Sequence, residues 1–240
     1  AASNSGGGYT LDDSLRFRRS ATAYLERTPA STGNRKIMTF SWWMKLGTPL
    51  AAGTTNSIFS AGASGSNPAF NIGFNDGNNV GGSIPFQLSI LDTTSPVNIG
   101  LSSNMLFRDY SAWYHCVVAI DTSQSTSGNR VKLYVNGTQQ TLGANTTYGS
   151  PVEPSLNFDV NYNTNSHPSY IGKQSYSTTG NFDGYLTEVN FVDGQALAPT
   201  DFGETDNNGT WIPKEYTGTY GTNGFYLPMK PTTQATGFNT

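Results

Sequence analysis

The sequence predicts an all-β protein, folded as an antiparallel sandwich or barrel, and three features support this prediction. About a dozen short runs rich in β-branched and aromatic residues are separated by turn residues. No long stretch carries apolar residues at the i, i+3, i+4 and i+7 spacing of an amphipathic helix. The pair Asn136-Gly137, directly after an alternating run, is typical of a type I′ hairpin turn.

The first strands are predicted from alternation of apolar and polar residues. Residues 14–18 alternate strictly, and 23–27 follow after a short break. The strongest run covers 37–46, where every even position is apolar or aromatic and the odd positions mix hydroxyl residues and a lysine with apolar side chains. Because neighbouring side chains of a strand point to opposite faces, Trp42 and Trp43 cannot both enter one core. One of them is expected on the other face, under a loop.

Further runs of the same kind follow, bounded by Gly, Asn and Asp. They predict strands at 57–59, 70–74, 86–91, 113–120, 131–135, 169–171, 185–192 and 225–227. The breakers Asp183-Gly184 and Asp193-Gly194 flank the run 185–192. Residues 199–202, which begin with a proline, predict one helical turn.

Composition excludes several functional classes. The chain has 240 residues, 35% of them hydrophobic and only 12% charged, which suits one large β domain or at most two small ones. A net charge of −3 without a Lys/Arg cluster argues against nucleic-acid binding. The longest apolar runs are too short to span a bilayer, and no signal-peptide pattern opens the chain. The single cysteine, Cys116, cannot form an intrachain disulfide and is predicted to be a small buried apolar residue.

The two ends differ from the rest of the chain. Residues 1–10 are predicted to form a flexible arm because they are mostly small, polar and glycine-rich. Residues 11–227 are predicted to form a single domain, and 228–240 an exit arm or linker. The chain begins with Ala1, so we expect it to be processed or cut from a longer protein.

The ordered set of strand segments resembles the laminin-G-like domains of the concanavalin A-like class. The segments that carry this resemblance are 14–17 with 23–25, 113–121, 131–137, 170–172 and 182–189. It covers about residues 14–203 and implies an antiparallel two-sheet jelly-roll sandwich of the concanavalin A-like type.

In such a sandwich, alternate side chains of both sheets fill a layer about 10 Å thick. The predicted core residues are Phe17, Leu25, Phe40, Trp42, Phe74, Leu88, Trp113, Val117, Leu133, Val135, Ile171, Leu186, Val189 and Phe191.

A narrower resemblance concerns the segments 25–36, 193–204 and 220–227. They are similar to segments of virion proteins from marine tailed phages, of the tail-fibre-like or structural type. This resemblance implies an extracellular, particle-borne module that binds a ligand or builds the particle. The fold does not decide between the two roles, because function depends on the site that a fold carries.

Glycoside hydrolysis requires two carboxylates that face one groove, about 5 Å apart in retaining enzymes. The best acidic series is Asp183, Glu188 and Asp193, but its spacing of five places neighbours on opposite faces of a strand. Two of these residues also lie in Asp-Gly turns. The sequence therefore predicts a protein that is not an enzyme.

Nucleophilic catalysis is not indicated either. His115 and Cys116 are adjacent in one strand, so their side chains point apart, whereas a Cys-His dyad needs them to face each other. His115 is expected to be held by its surroundings in the sheet. No nucleophile elbow, P-loop or dinucleotide-binding motif is present.

The segment 159–167 is a candidate metal site. Asp159, Asn161 and Asn163 place side-chain oxygens at alternate positions, as in the first half of a calcium loop. The sixth position of this segment is not glycine, and the twelfth is Tyr170 rather than Glu. The alternative is a polar loop in which Asn and Asp form their own turns. No cofactor is expected, and weak calcium binding is kept as the alternative.

Sugar binding requires exposed aromatic rings for stacking, together with amide or carboxylate groups that form hydrogen bonds. The alternative is that tyrosine-rich polar loops only keep a surface of low charge soluble. Loop residues that fit a sugar site are Asp76, Asn78, Asn79, Tyr148, Tyr162, Asn163, His167 and Tyr176.

The sequence and its resemblances together favour a non-enzymatic module for adhesion or receptor binding, carried at the surface of a virion and part of a phage tail fibre. Its expected partners are other virion proteins, a host-surface glycan and, in a homo-oligomer, further copies of the chain; neither nucleic acid nor membrane insertion is expected. The first alternative is an architectural head-decoration or fibre protein. More distant alternatives are a glycan-processing enzyme and a cell-surface adhesion domain.

Overall fold

The computed structural model describes residues 9–47, 55–62, 69–74, 86–93, 96–145, 149–177 and 180–230. The strands within them are β1 (Leu15–Phe17), β2 (Leu25–Arg27), β3 (Ile37–Leu46), β4 (Asn56–Gly62), β5 (Ala69–Phe74), β6 (Gln87–Asp92), β7 (Ile99–Leu106), β8 (Tyr114–Asp121), β9 (Val131–Val135), β10 (Thr138–Gln140), β11 (Leu142–Ala144), β12 (Ser169–Ile171), β13 (Gly184–Asp193), β14 (Gly203–Thr205), β15 (Trp211–Pro213) and β16 (Phe225–Leu227). Short 3-10 turns lie at Arg19–Ala21, Ser127–Asn129 and Pro199–Asp201. The last of these confirms the predicted helical turn.

Within the described residues the strands form two seven-stranded sheets and one short hairpin. The first sheet has the order β1-β13-β3-β8-β9-β10, with β16 also paired to β13. The second sheet has the order β11-β7-β6-β5-β4-β12-β2, and β14 pairs with β15. All these strand pairs are antiparallel. The predicted antiparallel two-sheet jelly-roll sandwich is confirmed.

An aromatic cluster joins the two sheets. The ring of Phe40 in β3 lies 5.1 Å from that of Phe59 and 5.6 Å from that of Phe70, both in the second sheet. Phe40 also contacts Phe191 and Tyr162, at 5.1 Å and 4.8 Å. Tilted and edge-on contacts of this kind add to the hydrophobic stabilisation of a core. The strict alternation predicted for 37–46 places the even side chains of β3 in this layer.

Most of the predicted core residues lie in the layer between the sheets, and Leu25 packs against its margin. Two predicted positions are wrong. Val117 lies on the outer face of the first sheet, in a separate cluster with Val192 and Phe202, because Cys116 and Val118 occupy the core face of β8. Trp113 precedes β8 and is only half-buried.

Five strands were not predicted: β7, β10, β11, β14 and β15. In β7, Ile99 and Leu101 alternate with Gly100 and Ser102, but the consecutive polar residues 102–104 then interrupt the alternation. The other four are three residues long, too short for alternation to be read from sequence.

The segment after β13 covers part of the outer face of the first sheet. Phe202 packs with Val117 and Val192 of the sheet, and Tyr216 and Tyr220 extend this second apolar cluster. Trp211 in β15 also lies over the sheet, as described below. The first sheet therefore has a packed layer on both faces.

Three residues that the sequence predicts to lie in the arms, Tyr9, Pro228 and Met229, contact the sandwich. Tyr9 donates a hydrogen bond to Glu188 of β13 at 2.8 Å. Met229 packs against the main core, and the carbonyl of Pro228 accepts a bond from Thr187. The remaining parts of both arms, 1–8 and 231–240, lie outside the described residues. No helix in the described part of the chain has the length and apolar character needed to cross a membrane.

Candidate functional site

A cleft of about 90 Å³ opens on the outer face of the first sheet, and we name it the Trp43–Trp113 cleft. Its walls are mainly apolar but include carboxylates. The lining residues are Leu11, Asp12, Asp13, Ser14, Trp43, Trp113 and Thr187. A single water needs roughly 10–15 Å³ on this measure, so the cleft has room for several waters or for part of a sugar ring.

Strand alternation places Trp43 at the floor of the cleft. Trp42 is fully buried in the core, so Trp43 points to the outer face, as one member of the pair was predicted to do. Its cross-strand neighbours are Thr187 of β13 and His115 of β8. The same parity acts at Trp113: Tyr114 belongs to the core cluster, so the residue before it is directed outward.

A stack of three rings holds Trp43 in place. The Trp43 and His115 rings are 4.9 Å apart and nearly parallel, and His115 in turn stacks on Trp211 at 5.9 Å. The indole Nε1–H of Trp211 donates to His115 Nδ1 at 2.9 Å. Because Nδ1 accepts, the proton of the neutral ring lies on Nε2, which bonds Ser41 Oγ at 3.0 Å. Both ring nitrogens are thus engaged, as expected from the sequence.

Burial determines the protonation state of His115 within this stack. Complete burial lowers the pKa of His115 to about 3, so the imidazole is neutral at physiological pH. The neighbouring thiol is equally inaccessible, since burial raises the pKa of Cys116 far above its ordinary value. Cys116 belongs to the core cluster, in agreement with its predicted role as a buried apolar residue.

The N-terminal wall of the cleft is anchored by a carboxylate between two tyrosines. Tyr9 and Tyr226 donate to the two oxygens of Glu188, at 2.8 Å and 2.6 Å, and their hydroxyl oxygens lie 2.7 Å apart. Glu188 sits in a β-bulge of β13 with a φ of 48°. A positive φ at a non-glycine residue is strained, and such strain is often found at functional sites.

The surroundings of Glu188, Tyr9 and Tyr226 disfavour the ionised forms of these side chains. Burial raises the pKa of Glu188 above its ordinary value, although the hydrogen bonds from Tyr226 and Tyr9 oppose that shift. Burial also raises the pKa of Tyr9 to about 12, with a further contribution from the Glu188 carboxylate. Both tyrosines therefore keep their protons and act as donors at neutral pH. They fix the chain at Tyr9, three residues before the first cleft carboxylate.

The residues predicted for calcium do not converge in the structure. Asn161 donates to Asp92, both from its backbone N–H and from its side-chain amide, each at 2.8 Å. Asn163 donates to Asp193 and to the carbonyl of Asn34. Asp159 is exposed, and its carbonyl accepts a bond from Arg35. The described residues contain no group of three His, Cys, Asp or Glu side chains arranged to hold a metal ion. Calcium binding stays a prediction.

The structure describes four of the eight residues predicted for sugar binding. Tyr162 is buried in the core and contacts Phe40 and Phe191. Asn163 is saturated, since its side-chain oxygen accepts from Asn223 in addition to the bonds that its amide donates. His167 is half-buried, and Tyr176 is exposed on the loop after β12. The remaining predicted residues, Asp76, Asn78, Asn79 and Tyr148, lie outside the described residues.

The acidic residues considered for hydrolysis each have structural partners. Asp183 forms an ion pair with Arg16 at 2.6 Å, and Glu188 is held by the two tyrosines. Asp193 accepts bonds from the backbone of Asn34 and Asn223 and from the side chain of Asn163. All three carboxylates therefore hold distant segments of the chain together.

Sequence reasoning missed the cleft for two reasons. The sequence analysis places Trp113 in the core. Tyr114 and Cys116 occupy the core face of the run 113–120, so strand alternation directs Trp113 to the outer face. Asp12 and Asp13 carry no local signal, because their segment is held by the pairing of β1 with β13 and by the contact of Tyr9 with Glu188, 179 residues away in sequence.

Several solved structures are similar to this chain at low sequence identity. Three solved structures illustrate the likeness: a heptameric SAP-like pentraxin from Limulus polyphemus (14% identity, 92% of this chain and 94% of that chain, TM-score 0.44), domains LG4-5 of the mouse laminin α1 chain (14%, 87% and 50%, TM-score 0.43) and tailspike protein 2 of a bacteriophage of Escherichia coli O157:H7 (11%, 79% and 23%, TM-score 0.45). No curated protein matches significantly.

A family model matches most of the chain. It covers residues 19–201, so the segment that carries Leu11 to Ser14 and the covering segment with Trp211 lie outside the match. The sandwich itself, with both sheets and their antiparallel order, lies largely within it. The chain therefore belongs to the Laminin_G_3 family of the concanavalin A-like lectin/glucanase superfamily.

Proposed function

We propose that this chain is a non-enzymatic, glycan-binding adhesion module of a virus particle, and that the Trp43–Trp113 cleft is its sugar-binding site. One observation carries the proposal: two indole rings and two carboxylates line the same small cleft. An indole offers an apolar face to the C–H groups of a sugar ring, while carboxylates accept bonds from its hydroxyls.

The rigidity of the cleft supports a binding role. Trp43 stacks on His115, which in turn stacks on Trp211, so little side-chain freedom is lost when a ligand contacts it. Trp113 is half-buried and supplies the more accessible ring. Preorganised aromatic groups of this kind are the usual anchors of recognition surfaces.

The carboxylates support binding rather than hydrolysis. Asp183, Glu188 and Asp193 hold the fold together, and Asp12 and Asp13 are neighbours on one short segment. A retaining or inverting glycosidase needs an acid and a nucleophile or base on opposite sides of the scissile bond. The arrangement favours a protein that holds a sugar without cleaving it.

A glycan array with the full chain tests this proposal. Trp113→Ala should weaken binding of the captured glycan about tenfold or more, because the stacking ring is lost. Tyr176→Ala removes an exposed aromatic ring on the loop after β12 and serves as the matched control. Equal binding by wild type and Trp113→Ala, or loss with Tyr176→Ala alone, would move the site away from the cleft.

The virion role has a separate test. We propose a position at the tail, where many weak sites on one particle would raise the avidity without new contacts. Labelling intact particles with an antibody against this chain and viewing them by electron microscopy locates it. Label at the tail extremity supports receptor binding, and no label on any particle removes the virion assignment.

An architectural role is the second candidate, favoured by one contact. The hydroxyls of Tyr9 and Tyr226 lie 2.7 Å apart, so both ends of the folded domain meet at one place. A domain with adjacent ends can be placed within a longer protein without disturbing its neighbours. Antibody label spread over the head of the particle would favour this role and disfavour host attachment.

A further inference from the structure

The Trp43–Trp113 cleft combines aromatic rings with negative charge. Asp12 and Asp13 line it, and no Lys or Arg of the described residues does. The nearby Arg16 is engaged elsewhere, since its guanidinium pairs with Asp183 at 2.6 Å and also bonds the Gly184 carbonyl. The charge of the cleft walls is therefore negative.

The ring behind Trp43 adds no positive charge. One face of Trp43 is covered by His115. The Nδ1 of His115 accepts a hydrogen bond from the Trp211 indole N–H, so this nitrogen carries no proton and the ring is neutral. A protonated imidazole at this position would repel a cation bound on the other side of the indole. A neutral imidazole leaves the negative face of the Trp43 ring available to attract one.

Indole faces and carboxylates together recognise an ammonium group. A cation within about 6 Å of an indole centroid is attracted by the ring quadrupole, and a carboxylate nearby adds a charge-assisted hydrogen bond. An acidic sugar in the same place would meet two like charges. A neutral sugar would gain the stacking contact but not the attraction of charge.

We propose that the cleft selects a glycan residue carrying a free amino group, an unacetylated amino sugar, over neutral and acidic sugars. This inference rests on the proposed sugar-binding function and deepens it. Asp12 and Asp13 are the residues that determine this selectivity, while Trp113 and Trp43 provide the stacking surface common to all sugars. The two carboxylates belong to a segment that precedes the residues matched by the family model.

The test compares four oligosaccharides of equal length, built from glucosamine, N-acetylglucosamine, glucose and glucuronic acid. Calorimetry gives the affinities of the full chain at a pH where the amine is protonated. NMR of the four indole N–H signals shows whether Trp113 and Trp43 respond. Glucosamine oligomers should bind at least about fivefold tighter than their N-acetylated counterparts, and acidic oligomers most weakly.

Variants distinguish selectivity for amino sugars from sugar binding in general. Asp12→Asn with Asp13→Asn should abolish the preference for glucosamine over the neutral oligomers, because the amide oxygens can still accept bonds from sugar hydroxyls but carry no charge. Glu204→Gln, an exposed acidic residue of β14, removes a charge elsewhere and should preserve the preference. Unchanged melting temperatures of both variants would show that the fold is intact.

The outcomes are distinguishable. Trp113-dependent binding of all four oligomers with equal affinity, or a glucosamine preference that survives the double Asp variant, overturns the inference and leaves sugar binding in place. Absence of binding to all four, or binding that is unaffected by Trp113→Ala, counts against the proposed site as well as against its selectivity.

Discussion

Trp211 donates its indole N–H to His115 Nδ1 at 2.9 Å and stacks on the same ring at 5.9 Å, although 96 residues separate the two in sequence. The contact joins the covering segment to the middle of the first sheet. It also determines the tautomer of His115, because an indole N–H can only donate. Through His115 it supports Trp43, the floor of the cleft.

Trp211→Phe should destabilise the protein while keeping an aromatic ring in the stack. The substitution removes the donor to a fully buried nitrogen, and leaving such an acceptor unsatisfied costs about 1–3 kcal/mol. Urea unfolding gives the free energy of unfolding of both proteins. Trp113→Phe, which changes a half-buried ring without this bond, is the control. Equal losses in the two variants would contradict the role given to the hydrogen bond.

His115 makes the stability of the protein dependent on pH. Its pKa falls from 6.5 in the unfolded chain to about 3 in the fold, so the unfolded state binds the proton first as the pH drops. The stabilising contribution is complete above pH 6.5 and is lost progressively as the pH falls towards 3. The slope of one such group is at most about 1.4 kcal/mol per pH unit. Unfolding free energies of wild type and His115→Gln, measured between pH 7 and pH 4, give the contribution of His115 to this pH dependence. If the two plots of unfolding free energy against pH are parallel, His115 is not the source of the pH dependence.

Gly137 leaves room for Trp211 at the turn between β9 and β10. It has a φ of 79°, and a Cβ at this position would lie 2.6 Å from the Trp211 ring. Gly137→Ala should therefore strain the turn and displace the indole from His115, at a cost of more than about 1 kcal/mol. Gly209→Ala is a matched control, since Gly209 has a φ of 80° but open space around it. A larger loss of thermal stability in Gly137→Ala than in Gly209→Ala would identify the contribution of the contact.

The parts of this structure that sequence predicts are those with local patterns. The alternation of 37–46 predicts both the strand and the opposite placement of Trp42 and Trp43, and Asn136-Gly137 predicts the turn after β9. Strand β7 is missed because consecutive polar residues interrupt its apolar alternation. The cleft is missed because it depends on contacts between residues far apart in sequence, such as Tyr9 and Glu188. Asn163 is a different case: its loop composition predicts a ligand site, and its side chain also forms long-range hydrogen bonds that no local pattern indicates.

Asn163→Ala tests whether that residue is structural. The side chain forms bonds with Asn34, Asp193 and Asn223, and the backbone has a φ of 63°, which alanine tolerates poorly. The loss should be about 2–4 kcal/mol in unfolding free energy. Asn165→Ala, an exposed position in the same loop, should lose about 0.5 kcal/mol or less.

Calcium titration of the wild type, Asn163→Ala and Asp159→Ala tests the metal prediction directly. If the hydrogen bonds of Asn163 only join segments of the chain, calcium should not change the melting temperature of the wild type. It should also not change the difference in melting temperature between the wild type and Asn163→Ala. A rise in the wild-type melting temperature with calcium that Asp159→Ala and Asn163→Ala both abolish would instead establish the calcium site.

Glu188 should change the free energy of unfolding with pH in the direction opposite to His115. Burial raises the pKa of its carboxyl above the value of 4.5 in an unfolded chain, so the folded state favours the protonated form. Its stabilising contribution is present below pH 4.5 and is lost as the pH rises through the folded pKa. Glu188→Gln, which keeps the size of the side chain and cannot ionise, should therefore gain stability relative to wild type as the pH increases from 4 to 7. The difference between their unfolding free energies at each pH isolates this group from the other carboxylates. A difference that stays constant would mean that the bonds from Tyr9 and Tyr226 stabilise the carboxylate enough to offset its burial.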